Sequence, residues 1–274
     1  MSDRPILLGI LNITEDSFSD GGAYLDPAAA LARARRLAQD GADVVDIGAA
    51  ASNVAAEPVA PETEIRRLGP VVAALHEAGI AVSIDSLQPE TQRFALARGV
   101  AYLNDINGFA EPSLYPELAA SRCRLVVMHA SAGRGRAQQL DLSAAAVAGR
   151  IDRFFAARLA ALEAAGIARE RLIVDPGMGF FLSSRPEASL RVLARIGELK
   201  RRFGLPVMVS VSRKSFLGAV TGVRDPAERG AASLAAELFA AAEGVDYIRT
   251  HDPAALRDGL AVIAALRAHW NAKR

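Results

Sequence analysis

Cysteine occurs once in these 274 residues, at Cys123. A lone cysteine excludes an intrachain disulfide and fits a reducing compartment. Its place just before an apolar run marks it as core packing rather than a reactive thiol. Charge of one sign is also missing: 32 Lys and Arg against 31 Asp and Glu leave a net charge of +1. No global field therefore draws the chain to nucleic acid or to an acidic membrane. No apolar stretch reaches the ~18 residues needed to span a bilayer. The N-terminal Met1-Ser2-Asp3-Arg4-Pro5 carries no secretion signal, so a soluble, cytoplasmic protein is expected. There is no His/Cys cluster with zinc spacing, no Walker loop and no Gly-x-Ser-x-Gly elbow. Linkers, low-complexity tracts and short internal repeats are absent too. The 51% hydrophobic and 23% charged composition is that of an ordinary globular protein, and one domain is expected over residues 1–274.

What is present is a rhythm. Short apolar runs keep ending in a polar or charged residue: Ile6–Leu11 at Asn12, Val44-Val45 at Asp46, Val82-Ser83-Ile84 at Asp85 and Tyr102-Leu103 at Asn104-Asp105. The pattern continues with Leu125–Met128 at His129, Leu172–Val174 at Asp175, Val207–Val209 into Ser212-Arg213-Lys214, and Tyr247-Ile248 at Arg249 with His251 beyond. Continuous apolar runs read as buried parallel strands. Between them lie segments of helical period. Asp26-Pro27, Pro61, Pro89, Pro112, Ser143, Pro186, Asp225-Pro226 and Asp252-Pro253 open helices, and glycines such as Gly41, Gly79, Gly99, Gly166 and Gly204 follow their ends. Strand and helix alternate about eight times, which predicts a closed (β/α)8 barrel. An open doubly wound sheet also alternates, but the unbroken rhythm favours the barrel. Ile13–Leu25 and Ala49–Ala60 are not helical and read as mobile loops over the mouth.

Polar strand ends in a barrel converge on one rim, where active sites form. Asp46, Asp85, Asn104, Asp105 and Asp175 could bind a flat heterocycle, since two adjacent N–H groups suit a carboxylate. Any one of them could instead cap the next helix. Asp105 is expected to be structural, because its neighbour Asn104 points the other way. Ser212-Arg213-Lys214-Ser215 and Arg249-Thr250-His251 follow strands seven and eight, the usual place for an anion. Asp175-Pro176-Gly177-Met178-Gly179-Phe180-Phe181 is a glycine-interrupted turn with two aromatics for a wall. Met128 could pack on a planar ligand or be core, and His129 reads as structural rather than as a base.

Several of these segments together resemble dihydropteroate synthases. They are Gly9-Ile10-Leu11-Asn12-Ile13-Thr14-Glu15-Asp16-Ser17-Phe18-Ser19-Asp20-Gly21-Gly22, Gly41–Gly48, Asn104-Asp105-Ile106, Met128-His129, Asp175–Phe180, Ser212–Ser215 and Arg249–Asp252. The resemblance runs the length of the chain, in order. It implies a pterin-binding barrel that joins 4-aminobenzoate to 7,8-dihydropterin-6-ylmethyl diphosphate and releases pyrophosphate. By that resemblance Asp85, Asn104, Met128, Asp175 and Lys214 would hold the pterin, and Asn12, Arg249 and His251 the diphosphate, with Asn12 also near Mg2+. Ser52, Phe180, Phe181, Arg213 and Ser215 would frame the aminobenzoate. Catalytic roles would fall to Asp85, Asp175, Lys214, Arg249 and His251. The family usually dimerises through late helices, so a homodimer is expected.

The chain departs from the usual pattern. It has Thr14-Glu15-Asp16 for Thr-Pro-Asp, Ala51-Ser52-Asn53-Val54 for Ser-Thr-Arg-Pro, Phe181-Leu182 for Gly-Lys, and Ser210 for a frequent Gly. These departures resemble the sulfonamide-insensitive branch of the family. The alternatives to a working synthase are a catalytically silent pterin-binding homologue and a methyltetrahydrofolate-binding methyltransferase. The latter lacks the paired basic motifs aimed at pyrophosphate.

Overall fold

Alternation of inward and outward side chains along each strand gives this molecule two separate apolar layers. In the computed structural model, which describes residues 4–14, 26–50, 54, 57–133 and 135–271, eight parallel strands form one sheet. They are β1 (Ile6–Asn12), β2 (Val44–Gly48), β3 (Val82–Asp85), β4 (Tyr102–Asp105), β5 (Arg124–Met128), β6 (Leu172–Asp175), β7 (Met208–Val209) and β8 (Tyr247–Thr250). The sheet runs β6-β5-β4-β3-β2-β1-β8-β7. A parallel bridge between Val174 and Val207 and a hydrogen bond from Val174 N to Pro206 O (2.9 Å) join its two ends. The expected (β/α)8 barrel is the fold.

Outward residues such as Leu7, Leu11, Val45, Ile47, Ile84, Leu103, Val127, Val174, Val209 and Ile248 pack under the helices in the main core. Inward residues Leu8, Val44, Tyr102, Val126, Ile173, Met208 and Tyr247 fill the lower barrel as a second cluster. Truncating one such side chain to Ala removes ~2–5 kcal/mol.

The surrounding helices are α1 (Pro27–Gln39), α2 (Pro61–Glu77), α3 (Pro89–Ala97), α4 (Tyr115–Ala120), α5 (Ala144–Ala164), α6 (Pro186–Ala194), α7 (Ile196–Phe203), α8 (Ser215–Thr221), α9 (Gly230–Ala242) and α10 (Pro253–Asn271). Asp26 caps α1 by accepting from Ala28 N and Ala29 N, and α7 ends on Gly204 at φ +61°, as their flanking residues predicted. Four boundaries differ from the sequence expectation. Pro112 opens a 3₁₀ turn, and α4 starts at Tyr115. The helix opened by Pro186 breaks at Arg195 into α6 and α7. Asp225-Pro226 opens only a 3₁₀ turn, and α9 starts at Gly230. Ser215–Thr221 forms an extra helix directly after the Arg213-Lys214 turn. Among the described residues no helix is long and apolar enough to cross a membrane. Cys123 is buried, and burial pushes its thiol up to about 12, far from a reactive thiolate.

Candidate active site at the upper rim

Parallel register brings the predicted strand-end residues side by side. Asn12 pairs with Gly48, Gly48 with Asp85, and Asp85 with Asn104; further round, Met128 pairs with Asp175. Gly48 leaves the inner face open between two of them, since a Cβ there would stand 3.7 Å from both Asn12 Oδ1 and Asp85 Cβ.

Arg249 crosses this space. Its Nε meets Asp46 Oδ2 at 2.5 Å and its Nη2 meets Asp85 Oδ2 at 2.7 Å. Burial works against the charge on Arg249, but these carboxylates hold the guanidinium above its ordinary value. Breaking so buried a pair from one side leaves an uncompensated charge and costs ~3–5 kcal/mol. Asp46 itself is fully buried, and its Oδ1 has no partner. Asn104 is 3% exposed, with Oδ1 likewise unpartnered. Buried polar atoms are normally satisfied, so unpaired oxygens at one rim point to an external donor. Asp105, by contrast, turns outward and is fully engaged: it accepts from Gln92 Nε2 (3.0 Å), Asn107 N (2.7 Å) and Phe109 N (3.0 Å). The expectation that Asp105 is structural agrees with these contacts.

Burial shifts the acids and the amine toward one another. Asp85 is pushed up to about 7 by burial, against the pull of Arg249, and Asp175 to about 6, against its hydrogen bond from Gly177 N and the charge of Lys214. Lys214 is lowered to about 8 by burial and by the charge of Arg249. Three ionisable groups displaced by burial at one rim make this the candidate functional site. His251 accepts or donates through Nδ1 to Ser212 Oγ (2.9 Å). Burial and the cations Arg213, Arg249, Lys214 and Arg33 keep it well below its ordinary value.

The rest of the site is turns. Lys214 stands at the start of α8, its Nζ 5.2 Å from the centre of the Phe181 ring. Arg213 before it adopts φ +60°, a left-handed conformation that costs a non-glycine residue ~1–2 kcal/mol. Ser215 lies beside Gly179, where a Cβ would come within 3.1 Å of its Oγ. Gly177 is at φ +75°, and a Cβ there would fall 2.4 Å from His129 O, so only glycine fits. His129 is tied to this same turn, Nδ1 to Pro176 O at 3.0 Å; burial lowers it to about 4, which suits the structural role expected of it. Phe181 is buried with Ile106, Met128, Ala130 and Ala137, and Phe180 packs half-buried against them. Ser52 and most of the two early loops lie outside the described residues.

Residues 8–251 match the pterin binding enzyme family. Over 267 residues the chain is 59% identical to the type-2 dihydropteroate synthase of Escherichia coli, covering 97% of this chain and 98% of that one. The chain belongs to the dihydropteroate synthase family. Among solved structures, the Xanthomonas albilineans dihydropteroate synthase with 4-aminobenzoic acid superposes with a TM-score of 0.87 at 38% identity, covering 97% of this chain and 94% of that one. The same organism's enzyme in complex with 7,8-dihydropteroate gives a TM-score of 0.82 at 34% identity, with 98% and 95% covered.

For this synthase, sequence reasoning assigned Arg249 to an anion without foreseeing that Asp46 and Asp85 both hold it. Asp46 reads in the sequence as one of the strand-end acids suited to a heterocycle, not as a partner of Arg249. Ser212 as the partner of His251 was also missed. The signal available is its position just after the seventh strand, two residues before Lys214.

Proposed function

We infer that this chain is a working dihydropteroate synthase, joining 4-aminobenzoate to 7,8-dihydropterin-6-ylmethyl diphosphate to give 7,8-dihydropteroate and pyrophosphate. The observation that carries the reading is the change of the barrel's inner face from apolar to polar at the strand ends, where Asn104 Oδ1 and Asp46 Oδ1 lack partners beside Asp85, Asp175 and Lys214. A dihydropterin presents paired N–H donors to carboxylates and an amide oxygen, and a ring nitrogen and carbonyl to an ammonium. In this reading Asp85, Asn104, Asp175 and Lys214 hold the pterin, with Met128 against its face. Asn12, Arg249 and His251 take the diphosphate. Arg213, Ser215, Phe180, Phe181 and Ser52 frame the aminobenzoate.

The bond from the pterin methylene to the diphosphate oxygen breaks, and its electron pair leaves with pyrophosphate. The cation left behind is delocalised over the pterin, and Asp85 and Asp175 stabilise it electrostatically. The amine of aminobenzoate then supplies the pair for the new carbon–nitrogen bond and gives up a proton to solvent. The attack needs no strong base, which agrees with His129 being structural. Arg249 and His251 stabilise the departing anion. Among the described residues no three His, Cys or acidic side chains could hold a metal by themselves. Mg2+ keeps water and substrate phosphate and takes only one or two protein oxygens. Asn12 would be one of them, and the ion would neutralise diphosphate charge.

Low sulfonamide sensitivity belongs to the same reading. Phe181 fills the wall beside Lys214 where the family usually has Gly, which narrows the acid end of the aminobenzoate site. A second copy of the chain is the expected partner; Phe239 on α9 and Val262, Leu266 and Trp270 on α10 are exposed apolar side chains that suit it. The test is pyrophosphate release by purified protein with both substrates and Mg2+, with and without sulfamethoxazole. Turnover that resists the drug, and becomes drug-sensitive in Phe181→Gly, supports the reading. No release with both substrates present favours a silent pterin-binding homologue.

A further inference from the structure

Arg229, Ser233 and Glu237 recur every fourth residue at and along the start of α9 and therefore share one face. Two of them meet the backbone of Arg213. The Arg213 N–H donates to Ser233 Oγ (2.9 Å), and the Arg213 carbonyl accepts from Arg229 Nη1 (3.0 Å). The same serine hydroxyl donates to Arg229 O (2.7 Å). Arg229 is itself anchored: Nε donates to Val223 O (3.0 Å) and Nη2 to Arg224 O. It reaches them because residue 218 is glycine; a Cβ there would lie 2.7 Å from Arg229 Nε and Nη2. Both polar groups of the Arg213 backbone are thus pinned, at a residue whose φ of +60° is unfavourable on its own.

We infer that Ser233 and Arg229 are positioning residues, clamping Arg213 in its left-handed conformation and so aiming Lys214 into the pocket. The inference rests on the reading of Lys214 as a pterin contact. Neither residue is asked to touch substrate. Residues that only stabilised α9 would have no need to satisfy the donor and the acceptor of one strained residue in another segment.

A double-mutant cycle on product affinity tests it, using 7,8-dihydropteroate as the titrated probe. Ser233→Ala is expected to weaken binding about tenfold in the native background. In an Arg213→Gly background the same change should cost less than about threefold, because glycine adopts positive φ without a clamp. Ser233→Thr, which keeps the hydroxyl, should bind within about threefold of the native protein. An equal loss in both backgrounds, or a fall in Tm with unchanged affinity, overturns the inference. Should Ser233→Ala not fold, Arg229→Lys enters the same cycle, since a single ammonium cannot replace the fork. Lys214→Ala separates the two layers of argument. If it leaves product binding intact, the pterin-site reading fails; if it abolishes binding while Ser233→Ala leaves affinity at the native value, only the clamp fails.

Discussion

Ile173 and Asp175 sit two residues apart on β6 with side chains on the same inner face, yet they belong to different chemical worlds. Ile173 joins Leu8, Val44, Tyr102, Val126, Met208 and Tyr247 in the lower barrel. Of the polar groups at that end, Arg124 Nη1 donates to the Tyr247 hydroxyl at 2.6 Å, while Ser83, beside Tyr102, is buried with its hydroxyl unpartnered. One layer higher, Asp175 stands among an acid and a lysine displaced by burial and an arginine held charged by carboxylates against it. The lower half is mainly apolar, and the unpartnered carboxylate and amide oxygens of Asp46 and Asn104 stand in the upper half. Stability and function are therefore divided along each strand rather than between strands, as in barrels generally.

The largest expected effect breaks that comparison on a single strand. Asp175→Asn should lower kcat/KM by at least about a thousandfold while shifting Tm little, because a charge that stabilises the developing cation is lost. Ile173→Ala should do the reverse, costing ~2–5 kcal/mol of stability and leaving kcat of the folded fraction near native. Matched effects on Tm and kcat in the two variants would erase the distinction. A second measurement sharpens it. With Asp175 at about 6, Asp85 at about 7 and Lys214 at about 8, kcat/KM should rise as the acids ionise between pH 6 and 7 and fall as Lys214 loses its proton above pH 8. A flat profile from pH 5 to 9 would show that these groups do not govern the reaction.

The smallest effect concerns Glu237, 2% exposed on α9, with Oε1 unpartnered. Burial pushes it up to about 8, against the influence of Thr250. A carboxyl whose folded pKa is raised binds a proton that the unfolded chain has released, so its contribution is complete below about pH 4.5 and is lost as pH rises through about 8. Native Tm should therefore decline across that interval relative to Glu237→Gln, by up to roughly 8 °C in all. Parallel curves for the two proteins would mean that Glu237 does not carry the proton.

Much of this was legible in the sequence, for physical reasons. Fully buried strands announce themselves as apolar runs, so the residue that ended each run located the rim. Strict alternation separated Asn104 from Asp105 correctly. Glycines such as Gly177, where a Cβ cannot fit, mark their own turns. What could not be read were relations across the closed barrel. That Arg249 is shared by Asp46 and Asp85 depends on three strands meeting at one level, and nothing local to Arg249 encodes it. The φ of Arg213 is similarly hidden, because an arginine carries no sign of left-handed backbone; the support comes from α9, about twenty residues later. The extra helix α8 was missed because Ser215–Thr221 is too short to develop a period.

One joint of the cylinder differs from its others. Between β6 and β7 a single bridge at Val174 and Val207 stands where full ladders stitch the remaining staves. Asp175 caps one side of that seam and Lys214 follows from the other. Two groups whose charges act on each other are thus carried by the pair of staves with the least backbone bonding between them.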